Sequence, residues 1–235
     1  MFQEEKRIEL CDCDYKGKVR NEYFFIRFGE IATYDAYKTN IYNQNMLMHY
    51  GWVVSKQTLK LAQPIYYDDL ITLTTHIRKP SHVIFPRYYE IKKENHLIGE
   101  CASIWTLMDL EKRKIIRPMQ AGIQVPDNIP MEFEPETLFP LDDVEYVKSH
   151  QVLYSDVDIN GHFNNTRYIR LACDLIPFPL FNDHFISKIS INYKKELPPQ
   201  SSLDLYMYRD HDFFHIEGKY DQEICFITEM RITKI

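Results

Sequence analysis

The chain reads as one succession of elements written twice. Residues Pro126 to Leu141 (PDNIPMEFEPETLFPL) carry four prolines and four acidic groups with no helical or alternating apolar period, the pattern of a linker. On either side comes a short strand, then a helix, then a run of strands, so the expected fold is two copies of one unit. The chain then divides into a first repeat at 1–125, a linker at 126–142 and a second repeat at 143–235.

In the first repeat a strand is expected near Ile8 to Tyr15, followed by a helix from about Tyr23 to Asn43. There Phe24, Phe28, Ile31, Tyr34, Ala36 and Tyr37 recur at near-helical spacing. Strands follow at Gly51 to Leu61, Leu70 to Ile77, Ile84 to Lys92 and Ile98 to Met108, all rich in residues that suit a pleated surface. Ile71, Leu73, Thr75 and Ile77 alternate with Thr72, Thr74 and His76, so one face of that strand should be buried. The second repeat has a strand near Glu145 to Tyr154 and a helix from about Asn164 to Leu175, with Tyr168, Leu171, Ala172 and Leu175 on one side. Four strands complete it, at Phe185 to Tyr193, Ser202 to Tyr208, Phe213 to Tyr220 and Glu223 to Thr233, with hairpin turns at Arg209-Asp210 and Asp221-Gln222. Each half is thus α+β, a long helix packed on one face of a curved antiparallel sheet.

With 45% hydrophobic and 26% charged residues, the 235-residue chain is neither disordered nor fibrous. No apolar run approaches the roughly 20 residues a membrane-spanning helix needs, and the opening MFQEEKRIEL is too charged for a secretory signal, so a cytoplasmic location is expected. Five cysteines without a CxxC pair fit reduced thiols. Cys11-Asp12-Cys13 has a zinc-like composition and would share one strand face, but it lacks a second half, and neither a metal nor a cofactor is expected. The other histidines, His49, His76, His82, His96, His150, His184, His211 and His215, lack partners at metal spacing and are expected to be structural or exposed. A net charge of -6 argues against a nucleic-acid partner. Two basic clusters, one with Arg78, Lys79, Arg87, Lys92 and Lys93, the other with Lys112, Arg113, Lys114 and Arg117, either face an acidic partner or form solvated edges.

The densest polar segment, from Tyr154 to Tyr168, places carboxylate, amide and imidazole groups immediately before a helix, where free N–H groups and the positive dipole end can stabilise an oxyanion. If the segment is extended, Asp156, Asp158, Asn160 and His162 share a side, and Gly161 permits a sharp turn. Helix capping by Asn164 or Asn165 within an Asx-rich turn explains the amides equally well but leaves His162 unexplained. The corresponding junction of the first repeat, Lys18-Val19-Arg20-Asn21-Glu22-Tyr23, lacks this set, so one site per chain is expected.

Asp158-Ile-Asn160-Gly-His162-Phe-Asn164-Asn165-Thr-Arg-Tyr168 resembles the D-x-N-x-H-x-N-N-x-x-Y signature of acyl-acyl-carrier-protein thioesterases of plants and bacteria. Ile191 to Glu196 resembles the family's strand ending in a tyrosine, two basic residues and the catalytic glutamate. Ala102 to Asp109 with Arg113, and Gly51-Trp52-Val53-Val54, are similar to segments of its first repeat. The resemblance implies a tandem (double) hot-dog fold and release of fatty acid from acyl-acyl-carrier protein, the partner presenting its acyl chain on phosphopantetheine. It implies Glu196 as general base, His162 and Asn160 as hydrogen-bonding groups and Asp158 as their orienting partner.

Many plant members carry a cysteine after the glutamate. Here that position is Leu197, so direct attack by water is expected. Strict alternation would put Glu196 on the face of Lys194 and Asn192, away from Ile189, Ile191 and Tyr193, unless a bulge intervenes. The first repeat is expected to supply the acyl pocket, with Tyr34, Tyr37, Ile41, Tyr42, Met46 and Met48 as candidate lining. Alternatives of the same fold are an acyl-coenzyme A thioesterase or a non-catalytic acyl-binding protein. Whether two chains pair as a homodimer, the sequence leaves open.

Overall fold

The computed structural model describes residues 1–39, 41, 46, 48–123 and 133–235. The first repeat runs β1 (Phe2–Arg7), α1 (Asn21–Lys38), β2 (Tyr50–Leu61), β3 (Leu70–Ile77), β4 (Phe85–Lys93), β5 (His96–Asp109) and a short β6 (Lys114–Ile116). The second runs β7 (Glu145–Gln151), α2 (Asn165–Cys173), β8 (His184–Tyr193), β9 (Ser202–Asp210), β10 (Phe213–Tyr220) and β11 (Glu223–Lys234). The strands form one antiparallel sheet in the order β1-β3-β4-β5-β2-β8-β11-β10-β9-β7, with β6 added to β5. Read outward from the centre the two halves are the same, β2-β5-β4-β3-β1 and β8-β11-β10-β9-β7. They join where Lys56 to Lys60 of β2 pair with Lys188 to Asn192 of β8.

Both helices lie on one face of this sheet and pack against each other. The α1 stripe of Phe24, Phe28, Ile31 and Ala32 is buried against Leu73, Tyr89 and Ile91, with the Phe28 and Tyr89 rings 4.5 Å apart. Truncating Phe28 to alanine there would cost about 3–5 kcal/mol, because the cavity has few ways to collapse. One polar group sits on the same stripe. Asp35 is fully buried and accepts from Arg87 Nη1 at 2.7 Å, and the same nitrogen donates to Thr75 Oγ1 at 3.0 Å. Arg87 therefore belongs to the interior rather than to a basic surface, because a buried carboxylate needs a paired cation.

Several expectations need correction. The first strand is Phe2–Arg7, not Ile8 to Tyr15, since charged residues on an edge strand conceal its period. Residues Leu10–Asp12 are a 3-10 turn in which Cys11 is exposed and Cys13 buried, so the two thiols share no face. Tyr34 and Tyr37 of α1 point to solvent, and Met48 is exposed. Ile41 and Met46 do lie in a second apolar cluster, with Phe85, Leu107, Ile123 and Trp52, while Tyr42 is outside the described residues. The β9–β10 turn is His211-Asp212, two residues beyond the expected pair, with His211 in the left-handed region.

The described end of the linker is no loose tether. Residues 133–141 cross the sheet face opposite the helices, directly over the join. Glu136 N–H donates to Thr58 Oγ1 (3.0 Å), Leu138 N–H donates to Asn192 Oδ1 (2.9 Å) and Asn192 Nδ2 donates to the Glu136 carbonyl (2.8 Å). The Glu136 carboxylate accepts from Ser190 Oγ at 2.7 Å and pairs with Lys188. Thr58, Ser190 and Asn192 are fully buried polar groups, and the strap satisfies them where no helix covers the sheet.

Candidate active site

The segment expected to be extended is a closed loop. Val157 and Phe163 bridge its neck, the Asp158 N–H donates to the His162 carbonyl (2.9 Å), and the Gly161 N–H donates back to the Asp158 carbonyl (3.0 Å). Two residues make this turn. The Asp158 carboxylate accepts from the Asn160 N–H (2.8 Å) in an Asx turn, and Gly161 adopts φ +78°, a region that favours glycine. Asn164 caps α2, its Oδ1 accepting from the Thr166 N–H at 2.9 Å. The capping reading therefore holds at Asn164, and Asn160 lies in the Asx turn of the loop. Asp156 does not join the others. It is buried in the turn Tyr154–Asp156 and bonded to His150 Nε2 (2.8 Å) and the Leu153 N–H (3.0 Å).

The Glu196 question is settled by where β8 stops. Lys194 and Lys195 both donate to the single carbonyl of Cys225, at 2.8 and 3.2 Å, so two residues oppose one and alternation is broken after Tyr193. Glu196 is thereby turned to the loop, its Oε2 standing 3.5 Å from His162 Nε2. The next residue, Leu197, is fully buried and fastens the loop from below, its carbonyl accepting from the Phe163 N–H at 3.1 Å. The four expected groups thus fall into two pairs. Asp158 holds Asn160, with a second contact from Asn160 Nδ2 at 3.4 Å, and His162 faces Glu196. Among the described residues no hydrogen bond joins the two pairs through their side chains.

A fifth residue enters from the other repeat. Arg113, on the turn between β5 and β6, donates through Nη2 to the same Glu196 Oε2 that faces His162. The sequence places Arg113 in a basic cluster, and nothing in its spacing distinguishes it from Lys112 or Lys114. The neighbouring thiols are poorly suited to attack. Burial pushes the Cys225 thiol up to about 11, and burial also raises Cys173 and Cys101 strongly. A groove of about 620 Å³ opens on the outer side of the loop, lined by Leu153, Tyr154, Val157, Asp158, Ile159 and Pro199 among others, and touches neither His162 nor Glu196.

The first repeat holds the same loop without the same chemistry. Its counterpart is Asp14-Tyr15-Lys16-Gly17-Lys18, not the stretch from Lys18 onward. Cys13 bridges Val19, the Asp14 N–H donates to the Lys18 carbonyl (2.7 Å), Asp14 Oδ1 accepts from the Lys16 N–H (2.8 Å), and Gly17 has φ +74°. The Val19 N–H donates to the Ile65 carbonyl (2.8 Å) as Phe163 does to Leu197, which makes Pro64 the counterpart of Glu196. Lysines stand for Asn160 and His162. Lys18 is buried and donates to the carbonyls of Phe181 and His184, an arrangement in which burial lowers its pKa. Such a lysine closes a gap and offers no base.

Two units of a helix on a curved antiparallel sheet, joined edge to edge and bearing one acid–amide–imidazole loop at the join, define a double hot-dog protein with a single polar site. The descriptions "Acyl-ACP thioesterase N-terminal domain" and "Acyl-ACP thioesterase C-terminal domain" match residues 1–123 and 141–232. The chain belongs to the acyl-ACP thioesterase family. Its curated relatives include a palmitoyl-acyl carrier protein thioesterase of Gossypium hirsutum, 22% identical over 65% of this chain and 40% of that protein. An oleoyl-acyl carrier protein thioesterase of Arabidopsis thaliana is 22% identical over 67% of this chain and 47% of that protein. The matched region is thus less than half the length of either relative, and both are named as chloroplastic. Among solved structures, an acyl-ACP thioesterase from Bacteroides thetaiotaomicron superposes with a TM-score of 0.85 at 21% identity, covering 98% of this chain and 97% of that one. The 12:0-ACP thioesterase of Umbellularia californica gives 0.87 at 16% identity, covering 100% and 97%. The expected tandem hot-dog is the fold found. Among the described residues no helix is long and apolar enough to cross a membrane.

Proposed function

We propose that this chain hydrolyses fatty acyl thioesters carried on acyl carrier protein, with Glu196, His162, Asn160 and Asp158 as its catalytic set. The observation that carries this reading is His162 facing Glu196 at 3.5 Å beside an Asn160 held by Asp158, in a chain of this family. Glu196 takes a proton from water, whose oxygen attacks the thioester carbonyl. His162 and Asn160 donate hydrogen bonds to the oxygen that becomes negative. The carbon–sulfur bond then breaks, and the phosphopantetheine thiolate leaves with the proton that Glu196 took up, giving free acid and free carrier. Asp158 acts through Asn160, fixing its amide.

Four further points support the reading. Leu197 is apolar and buried where a cysteine would be needed, and burial holds Cys101, Cys173 and Cys225 protonated, which favours water over a thiol. Lys114 and Arg117, exposed on the stretch that follows Arg113, give an acidic carrier a basic edge. The second apolar cluster, around Ile41, Met46 and Trp52 of the first repeat, is a place for the acyl chain. Among the described residues the Trp52 indole N–H, buried there, has no partner. Five free thiols fit a reducing compartment such as the cytoplasm.

The purified protein should release fatty acid from acyl-carrier substrates with kcat/KM well above that on the matching acyl-coenzyme A. Equal rates on both would move the carrier out of the reading, and no hydrolysis of either across short to long chains would reject it.

A further inference from the structure

We propose that Arg113 is the positioning residue for Glu196, so that the single site is completed across the two repeats. The inference rests on Glu196 belonging to the hydrolytic site. The turn that presents Arg113 is built for the purpose. Asp109, at the end of β5, accepts from the Lys112 N–H at 2.9 Å and from Lys112 Nζ at 3.1 Å, and the Leu110 N–H donates to the His49 carbonyl at 2.9 Å. Arg113 itself sits at φ +51°, a left-handed conformation that L side chains adopt rarely and that persists only where surroundings impose it.

Glu196 needs such a partner. It follows the broken end of β8, and its side chain is 38% exposed, so packing does not choose its rotamer. Two groups do. His162 from the loop and Arg113 from the first repeat both address Oε2, while Oε1 has no partner among the described residues. The carboxylate is thus pinned by one oxygen and presents the other. From below, α2 contributes only the buried Tyr168 hydroxyl, whose deprotonation is opposed by burial and by the charges of Cys225 and Glu196. Arginine stays protonated throughout the working range, so Arg113 orients without exchanging a proton.

The test compares wild type, Arg113→Ala and Arg113→Lys in the full chain, alone and with Glu196→Gln, by steady-state hydrolysis of acyl-carrier substrate and by crystal structures of wild type and Arg113→Ala. In Arg113→Ala, kcat should fall roughly 10- to 100-fold with KM changed less than about 3-fold, the mark of lost positioning rather than lost binding. Arg113→Lys should recover part of the loss, and Arg113→Ala should slow the Glu196→Gln enzyme no further. In Arg113→Ala the Glu196 carboxylate should leave its place opposite His162. A Glu196 side chain that stays opposite His162 in Arg113→Ala, or a loss confined to KM, would overturn the proposal, the latter assigning Arg113 to carrier docking. Because the crystal structure needs no turnover, a wild type inactive on every thioester would reject the proposed function while the placing of Glu196 still decides the role of Arg113.

Discussion

At the scale of residues, the proposed site consists of two pairs, Asn160 held by Asp158 and His162 facing Glu196. His162→Ala and Glu196→Ala should each reduce kcat by about 1,000-fold or more without lowering the melting temperature, since both side chains are partly exposed and neither is part of the core. Asn160→Ala should lose about 100-fold, the usual effect of removing one donor to a developing oxyanion. Steady-state hydrolysis with a parallel thermal melt checks all three, and near-wild-type turnover in Glu196→Ala would remove the base. Alkylating the exposed thiol and replacing Cys11, Cys13, Cys101, Cys173 and Cys225 by serine or alanine should leave kcat within a few-fold. Stability should suffer instead, since Cys101 and Cys225 are fully buried. A burst of released carrier before steady state would contradict this. Asp158, Asn160 and His162 stood out in the sequence as polar residues clustered before a helix, together with Asp156, which the fold places elsewhere, while Glu196 came from the family resemblance alone. Arg113 stood in a basic cluster and in a segment similar to the family's first repeat, but its contact with Glu196 was not legible, because it depends on a turn geometry and a partner 83 residues away.

At the scale of elements, spacing located nearly every strand and both helices, because alternation and the 3.6-residue period survive wherever one face is buried. It failed at one edge and at the strand end. β1 carries its period in charged side chains, and the break after Tyr193 comes from two N–H groups sharing one carbonyl, which residue types do not announce. The duplicated loop was only half visible, since Asp14 and Gly17 persist while the chemistry has gone. That duplication gives a paired prediction. Gly161→Ala and Gly17→Ala both force alanine into a left-handed conformation with nothing within 4 Å of the new Cβ, so each should cost about 1–2 kcal/mol in denaturant unfolding. Only Gly161→Ala should also depress kcat. An equal loss of turnover in Gly17→Ala would mean that the first loop takes part in the reaction.

At the scale of the whole molecule, the strap over the join couples stability to acid. Burial pushes the Glu136 carboxyl up, but hydrogen bonds from Lys188 and Ser190 outweigh it and hold the group below the usual carboxylate range. A carboxyl depressed in the folded state contributes stability that is present above its unfolded value of about 4.3 and is lost as pH falls through the folded value. Glu136→Gln should therefore unfold more easily than wild type at pH 7, and the gap should close on acidification below about pH 4. A gap independent of pH in chemical denaturation would show that the strap holds by shape alone. The two loops carry a further consequence, for how such a molecule can change over time. Once a gene holds the unit twice, one loop is free to become mere scaffolding. On the proposed function Lys18, held by two carbonyls, serves the fold alone, so a change at Lys16 or Tyr15 should be filtered by stability alone, whereas a change between Asp158 and His162 should be filtered by turnover as well. Random mutagenesis followed by separate selections for folding and for hydrolysis should then display a tolerant and an intolerant copy of one motif.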